Sequence, residues 1–430
     1  MSRAARVLAA VVGVVVLIGA VALGWAWGPR GSAPQVAAPP ATPELIARGK
    51  YVAEAADCVA CHTVAGGTPF AGGRAFTLPF GTIYSPNITP DRETGIGDWT
   101  DGEFLRALHQ GVRRDGQQLY PAFPYTSYAG MTDADALALK AYLFSLQPVH
   151  APARANTLSF PFDQRPLMRF WNLLFLPRAG FRPDPNKPQA WNRGAYLVTA
   201  LGHCGECHTP RNFMYGLESG KALSGETIQG WSAWNITSDP DHGIGGWAPD
   251  DLAAYLRWGY TPGRGAAGGP MKEAVDNSLS KLTPQDLQAI AVYLKGTKPI
   301  ARGPRIDPNP PSLAASSFSA PGASEPDSAG QRLFAGACEG CHAWNGQGRQ
   351  TPMADLRGLP SVNDPLGLNV VQTILHGNSV AAPQGQAAMP SFSAAYSDAE
   401  IAAMSGYVVQ HFGGKASRVT AKTVAQARRD

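Results

Sequence analysis

The spacing of apolar and polar positions divides the chain before any motif is considered. Val7 to Trp27 is a run of 21 residues without a charge, preceded by Arg3 and Arg6 and followed by Arg30. As a helix it is about 31 Å long, enough to cross a hydrocarbon layer of roughly 30 Å. The rival reading is a cleaved export signal, whose apolar region is usually about 7 to 15 residues and ends at a small-x-small site. Ala20-Val21-Ala22 is a weak match to such a site. A retained anchor is the preferred reading, and under either one the arginines stay in the cytoplasm and everything after residue 30 is exported. Further along, Leu137, Ala141 and Phe144, and then Leu287, Ile290, Ala291 and Leu294, fall at helical spacing. Thr132-x-x-Asp135 and Thr283-x-x-Asp286 precede these two segments, and Ser397-x-x-Glu400 precedes a third. All three resemble capping boxes, the aspartates being a shortened form of the preferred glutamate. A tyrosine follows each cap by ten residues: Tyr142, Tyr293 and Tyr407.

The same order recurs along the chain. Ala47-Arg48-Gly49-Lys50-Tyr51 is echoed by Asn192-Arg193-Gly194-Ala195-Tyr196 as the end of a short helix. Asn87-Ile88-Thr89 with Gly95-Ile96-Gly97-Asp98-Trp99 returns as Asn235-Ile236-Thr237 with Gly243-Ile244-Gly245-Gly246-Trp247, at a constant offset of 148 residues. The chain therefore contains internal repeats. The Asn-Ile-Thr triplets match a glycosylation sequon but read better as loop packing. Closely spaced prolines in Arg182 to Pro188 separate the first unit from the second, and a Pro-rich stretch from Arg302 to Ser328 reads as a flexible tether before the third. Leu167 to Leu176 interrupts the first linker; too short and too polar to span a bilayer, it reads as a helix covering one edge of a unit, with a membrane surface or a partner as the alternatives.

Composition narrows the chemistry. Thirty-six basic residues against 32 acidic ones leave +4 in 430 residues, and 16 per cent charged beside 44 per cent hydrophobic excludes a nucleic-acid partner and a wholly disordered chain. Glycine (48) and proline (37) point to long ordered loops. All six cysteines fall in three pairs, each followed by a histidine: Cys58, Cys61 and His62; Cys204, Cys207 and His208; Cys338, Cys341 and His342. Cys-x-x-Cys-His is the attachment run of c-type haem. Two thiols three residues apart on one helical turn reach the two vinyl groups of one porphyrin, and the adjacent imidazole reaches the iron. Zinc wants converging pairs, and a thioredoxin-like dithiol wants a βαβ setting; neither suits three separate runs leading into Gly/Pro-rich loops. The expected architecture is all-α. It comprises three tandem class I cytochrome c domains with long loops, at residues 43–150, 191–300 and 329–415, joined by linkers 151–190 and 301–328. Residues 1–30 form the transmembrane helix or signal ahead of them, and a frayed polar tail, 416–430, follows.

An electron carrier needs a sixth iron ligand, and a methionine thioether raises the potential while filling that position. The expected ligands are Met389 in Ala388-Met389-Pro390, in a loop before the third cap, and Met271 in Gly269-Pro270-Met271. Met404 reads as core, and Met214 follows its haem motif too closely. In the first unit Tyr120-Pro121-Ala122-Phe123-Pro124-Tyr125 has phenylalanine where a methionine is expected, so Met131 is preferred, with His109 as the rival. The remaining histidines, His150, His203, His242, His376 and His411, read as surface or loop residues. Arg74 and Arg211 are candidates for haem propionates or for solvent.

With the three haem runs, the Gly-Ile-Gly-x-Trp loops, the Tyr-Pro-Ala-x-Pro-Tyr loop and Gly202-His203-Cys204-Gly205-Glu206-Cys207-His208-Thr209-Pro210-Arg211-Asn212, residues 45 to 415 resemble the trihaem cytochrome c subunits of bacterial membrane-bound alcohol, gluconate, sorbitol and aldehyde dehydrogenases. The resemblance implies three covalent haem c groups and a separate catalytic subunit of quinoprotein, flavoprotein or molybdopterin type. It further implies delivery of electrons to ubiquinone at the periplasmic face of the bacterial inner membrane. Many relatives carry methionine where Phe123 stands here, with the Met131 position as their alternative. No dinucleotide motif follows Gly95-Ile96-Gly97, so substrate oxidation is assigned to the other chain. Two alternatives remain: a multihaem peroxidase with one open iron, and the electron-entry subunit of a terminal oxidase.

Overall fold

The computed structural model describes residues 2–178, 180–305 and 328–429. The expected tether therefore lies largely outside the described residues. Two compact units emerge, residues 1–53 with 61–182, and residues 54–60 with 183–430.

The first element is one helix, Arg3–Trp27, capped by the Ser2 hydroxyl and exposed along nearly its whole apolar surface. After it the same arrangement occurs three times among the described residues. Opening helices Pro43–Ala55, Gln189–Tyr196 and Ala329–Ala337 lead to short haem-motif helices at Cys58–Cys61, Gly205–His208 and Glu339–His342. Closing helices Asp133–Ser145, Pro284–Lys295 and Asp398–Gly413 cross back over the opening ones.

Each crossing is set by a glycine under a tyrosine. A Cβ on Gly49 would stand 1.8 Å from the Ala138 carbonyl oxygen and 2.8 Å from Cβ of Tyr142. On Gly194 it would stand 1.9 Å from the Ala289 oxygen and 2.7 Å from Cβ of Tyr293; on Gly330, 2.3 Å from the Ala403 oxygen and 2.9 Å from Cβ of Tyr407. These backbones touch, which only a residue without a side chain permits.

The caps divide into two kinds. Thr132 and Thr283 accept from the Asp135 and Asp286 amides. Those two carboxylates reach across to the opening helices, where Arg48 donates to Asp135 at 2.9 Å and Arg193 grips Asp286 with two bonds of 2.8 and 2.6 Å. The aspartate is thus more than a short glutamate: it fastens the two helices. The reciprocal box is complete at Ser397 and Glu400.

Among the described residues four two-stranded antiparallel hairpins accompany the helices, pairing Ala75–Leu78 with Gly81–Tyr84, Glu226–Ile228 with Trp231–Ala233, Tyr260–Thr261 with Gly265–Ala266, and Asn378–Ala382 with Gly385–Met389. The all-α expectation is corrected to that extent. Gly/Pro-rich loops fold back on themselves, through two-residue turns in three of these hairpins and through Pro262-Gly263-Arg264 in the Tyr260–Ala266 one. The tail expected to fray instead forms the helix Ala421–Ala427, because Val424 and Ala427, three residues apart, bury one face in the third core. Arg428 then donates to Asp398 at 2.6 Å.

Candidate haem sites and their relatives

The three motif histidines share one geometry. Nδ1 of His62 lies 2.8 Å from the Pro86 carbonyl, that of His208 2.6 Å from Trp234, and that of His342 2.7 Å from Ala354. A carbonyl only accepts, so each Nδ1 carries the proton and each Nε2 keeps its lone pair for a metal. Burial lowers the pKa of all three rings, holding them neutral, the form that ligates iron. The orienting carbonyls fix each ring plane as the outer shell of a metal site does.

The thiols fit covalent attachment. None of the six cysteines forms a disulfide. Burial pushes Cys204 up to about 12 and Cys207 and Cys338 up to about 11. That environment resists the thiolate a zinc site needs, whereas a thioether carries no charge to desolvate. Among the described residues no three His, Cys, Asp or Glu side chains gather into an ion-holding group.

The expected sixth ligands take up different positions. Met131 is buried, 3 per cent exposed, just before the first closing helix. Met271 is half-buried in the first turn of the helix Gly269–Asn277, and Met389 packs on the third core. Met389 was expected in a loop but ends the strand Gly385–Met389, whose partner strand begins at Asn378. Met404 is core, 1 per cent exposed. His109 keeps Nδ1 3.7 Å from Asp133 and, with Met131 and Phe181, lines a cavity of about 380 Å³. Phe123 packs against Tyr128 at 5.4 Å. Arg211 pairs with Glu206 at 2.6 Å, and Arg74 lies over Phe76 at 5.7 Å. His411 is not in a loop: it sits in the closing helix, stacked 4.7 Å from Tyr407.

Two further pairs of side chains act on these loops: the asparagines of the repeated Asn-Ile-Thr triplets and, with no signal in the sequence, Lys140 and Lys295. Asn87 and Asn235 are buried, each bridging its own Thr amide and the chain beyond the closing helix, at Val149 and Ile300, both at 2.7 Å. Each therefore pins the loop that carries the orienting carbonyl one residue before it, at Pro86 and Trp234. Lys140 and Lys295 donate to the Trp99 and Trp247 carbonyls at 2.7 and 2.9 Å. In the second unit Ser232, two residues before Trp234, exchanges bonds of 2.7 and 3.0 Å with Asn369, and Tyr260 donates to the Pro352 carbonyl at 3.3 Å. The loop that orients His208 is thus tied to the third repeat through Asn369, and the loop that orients His342 to the second through Tyr260.

Comparison with known proteins gives the family. The cytochrome c family model matches residues 46–147 and 328–412. The fructose dehydrogenase cytochrome subunit of Gluconobacter japonicus is 38% identical over 403 residues, covering 89% of this chain and 82% of that protein. The chain belongs to the cytochrome c subunits of bacterial dehydrogenases. The gluconate 2-dehydrogenase cytochrome c subunit of Pantoea cypripedii is 35% identical, with 90% of each chain covered. A nicotinate dehydrogenase subunit of Pseudomonas putida is 42% identical over 378 residues, but this cytochrome chain spans only 30% of it. The second haem motif lies outside both family matches; its likeness to the other two rests on the shared histidine, thiol and crossing geometry.

Proposed function

We propose that the chain is a trihaem electron-transfer subunit. It takes electrons from a dehydrogenase catalytic subunit of quinoprotein, flavoprotein or molybdopterin type and passes them to ubiquinone at the periplasmic face of the inner membrane, held there by Arg3–Trp27. The observation that carries this reading is the threefold recurrence of a Cys-x-x-Cys-His turn whose histidine is locked through Nδ1 onto a backbone carbonyl. Haem c, when bound, supplies one-electron chemistry; the chain attaches it through Cys58/Cys61, Cys204/Cys207 and Cys338/Cys341 and ligates it through His62, His208 and His342. Met131, Met271 and Met389 serve as sixth ligands. Met131, 3 per cent exposed, is favoured over His109, whose side chain is 21 per cent exposed and has Asp133 3.7 Å from Nδ1. With those methionines as ligands no iron would be left open for peroxide, and the chain would act as a carrier and not as a peroxidase.

The test uses the purified holo-subunit with its co-expressed dehydrogenase. Substrate should reduce all of the haem, and a ubiquinone analogue should reoxidise it. Haem that stays oxidised, or that only an oxidase core reoxidises, overturns the assignment. Met389→Ala and Met271→Ala should each lower the midpoint potential of one haem; an unchanged potential removes that residue as a ligand.

A further inference from the structure

Where the N-terminal helix meets the folded part of its own unit, a cavity of about 640 Å³ opens between the segment Trp27–Ala33, the helix Asp101–Gln110 and the loop that follows. Arg30, Arg106, Arg114 and Arg165 line it against two carboxylates, Glu103 and Asp115. The acids have other duties. Glu103 caps the Thr100 amide at 2.8 Å and lies 3.8 Å from Arg114, while Asp115 lies 3.4 Å from Arg113. Two arginines are left incompletely bonded. Arg106, 8 per cent exposed, donates through its Nη atoms to the Gly31 and Arg113 carbonyls at 2.8 and 3.2 Å, yet its buried Nε has no partner. Arg30 donates Nε to Gln118 at 3.2 Å, and its buried Nη2 has none. Burial and the nearby Arg169 and Arg106 charges lower the Arg30 pKa. Those two N–H groups are buried away from the cavity surface, but four guanidiniums against two carboxylates leave the cavity itself with an excess of positive charge, which a phosphate satisfies with charge-assisted bonds.

The surroundings indicate where that phosphate comes from. The cavity begins at Trp27, the last residue of the apolar helix, and Trp25 and Trp27 are both exposed there, as aromatic residues at a membrane–water boundary are. Arg169 lies 4.2 Å over the Trp25 ring and Phe170 lies 5.5 Å from it. Phe170, Leu173 and Leu174 share one face of the helix Met168–Phe175, and Leu173 and Leu174 are 58 and 65 per cent exposed. The opposite face buries Trp171, and Asn172 accepts from Tyr125 at 2.7 Å.

We infer that this cavity holds the phosphate headgroup of an anionic membrane phospholipid, whose acyl chains lie along the Arg3–Trp27 helix and the Leu173–Leu174 face. The inference rests on the reading of Arg3–Trp27 as a retained membrane helix. Basic pockets at the ends of membrane helices recognise headgroups in this way.

The experiment uses the full-length holo-subunit. Flotation on phosphatidylcholine vesicles reads the anchor, and native mass spectrometry from mild detergent reads lipid retention. Wild type should float, should retain phosphatidylglycerol over phosphatidylcholine by about tenfold, and should not release it to millimolar inorganic phosphate. Arg30→Gln with Arg165→Gln should float equally, keep its haem spectrum and lose the preference; Arg114→Gln, at a more exposed position, should weaken the preference and serves if the double variant fails to fold. Equal retention by wild type and variants, or displacement of the lipid by inorganic phosphate, overturns the headgroup assignment and leaves the anchor standing. A wild-type chain that does not float overturns both.

Discussion

The second and third repeats solve the same packing problem with different chemistry. Both cross their helices at a glycine under a tyrosine, Gly194 with Tyr293 and Gly330 with Tyr407. In the second, Arg193 grips Asp286 across the crossing, and Trp191 meets Tyr293 edge-on at 5.0 Å. The third has no arginine beside its glycine; Phe334 lies 5.3 Å from both Tyr407 and Phe412, while Glu400 is spent on its own cap. The close approach of the backbones is the fixed requirement, and ion pair and aromatic cluster are interchangeable ways to fasten it.

The comparison breaks most readily at the glycines. Gly194→Ala and Gly330→Ala each force a Cβ into a carbonyl, so each should cost about 3 kcal/mol or more and lower haem yield, with Gly194 the worse because its clash is closer. Chemical denaturation with haem quantitation checks this, and equal tolerance of alanine at both sites would dissolve the shared crossing. Phe334→Ala should cost about 3 to 5 kcal/mol, because a ring buried to 3 per cent is lost from the third core. Asp286→Ala should cost only about 1 kcal/mol, since Arg193 remains partly in water. A double-mutant cycle with Arg193→Ala isolates the pair.

The smallest expected effect contrasts two buried carboxyls. Asp286 has its arginine, whereas Asp364 has the Leu366 amide at 3.0 Å and the Ser232 hydroxyl at 3.4 Å. Burial raises the Asp364 pKa despite those bonds. The folded state therefore holds this proton to higher pH than the unfolded state does. Stability falls as pH rises from the ordinary carboxylate value, near 3.9, through the folded value. Asp364→Asn should remove that slope and change stability at neutral pH by less than about 1 kcal/mol, measurable by denaturation between pH 4 and 7.

Much of this architecture was legible because haem attachment is written in side chains. Cysteine and histidine spacing, the Thr and Ser caps, and the tyrosines ten residues beyond them all announce themselves. Gly49 and Gly194 stand in a recognisable Arg-Gly pair, but Gly330, between Ala329 and Gln331, has no such neighbours and emerges only from the crossing. The histidine partners were hidden because they are backbone oxygens, which any residue supplies; their one trace is that Pro86 and Trp234 each precede a repeated Asn-Ile-Thr. The polar tail misled because two buried residues, Val424 and Ala427, suffice to dock a helix that is otherwise hydrophilic.

The central claim is that three haems are bound covalently, and intact mass spectrometry of the mature chain with thiol titration tests it most directly. The account predicts the added mass of three tetrapyrroles and no titratable thiol. A chain carrying fewer, with Cys204 and Cys207 free to react, would contradict it.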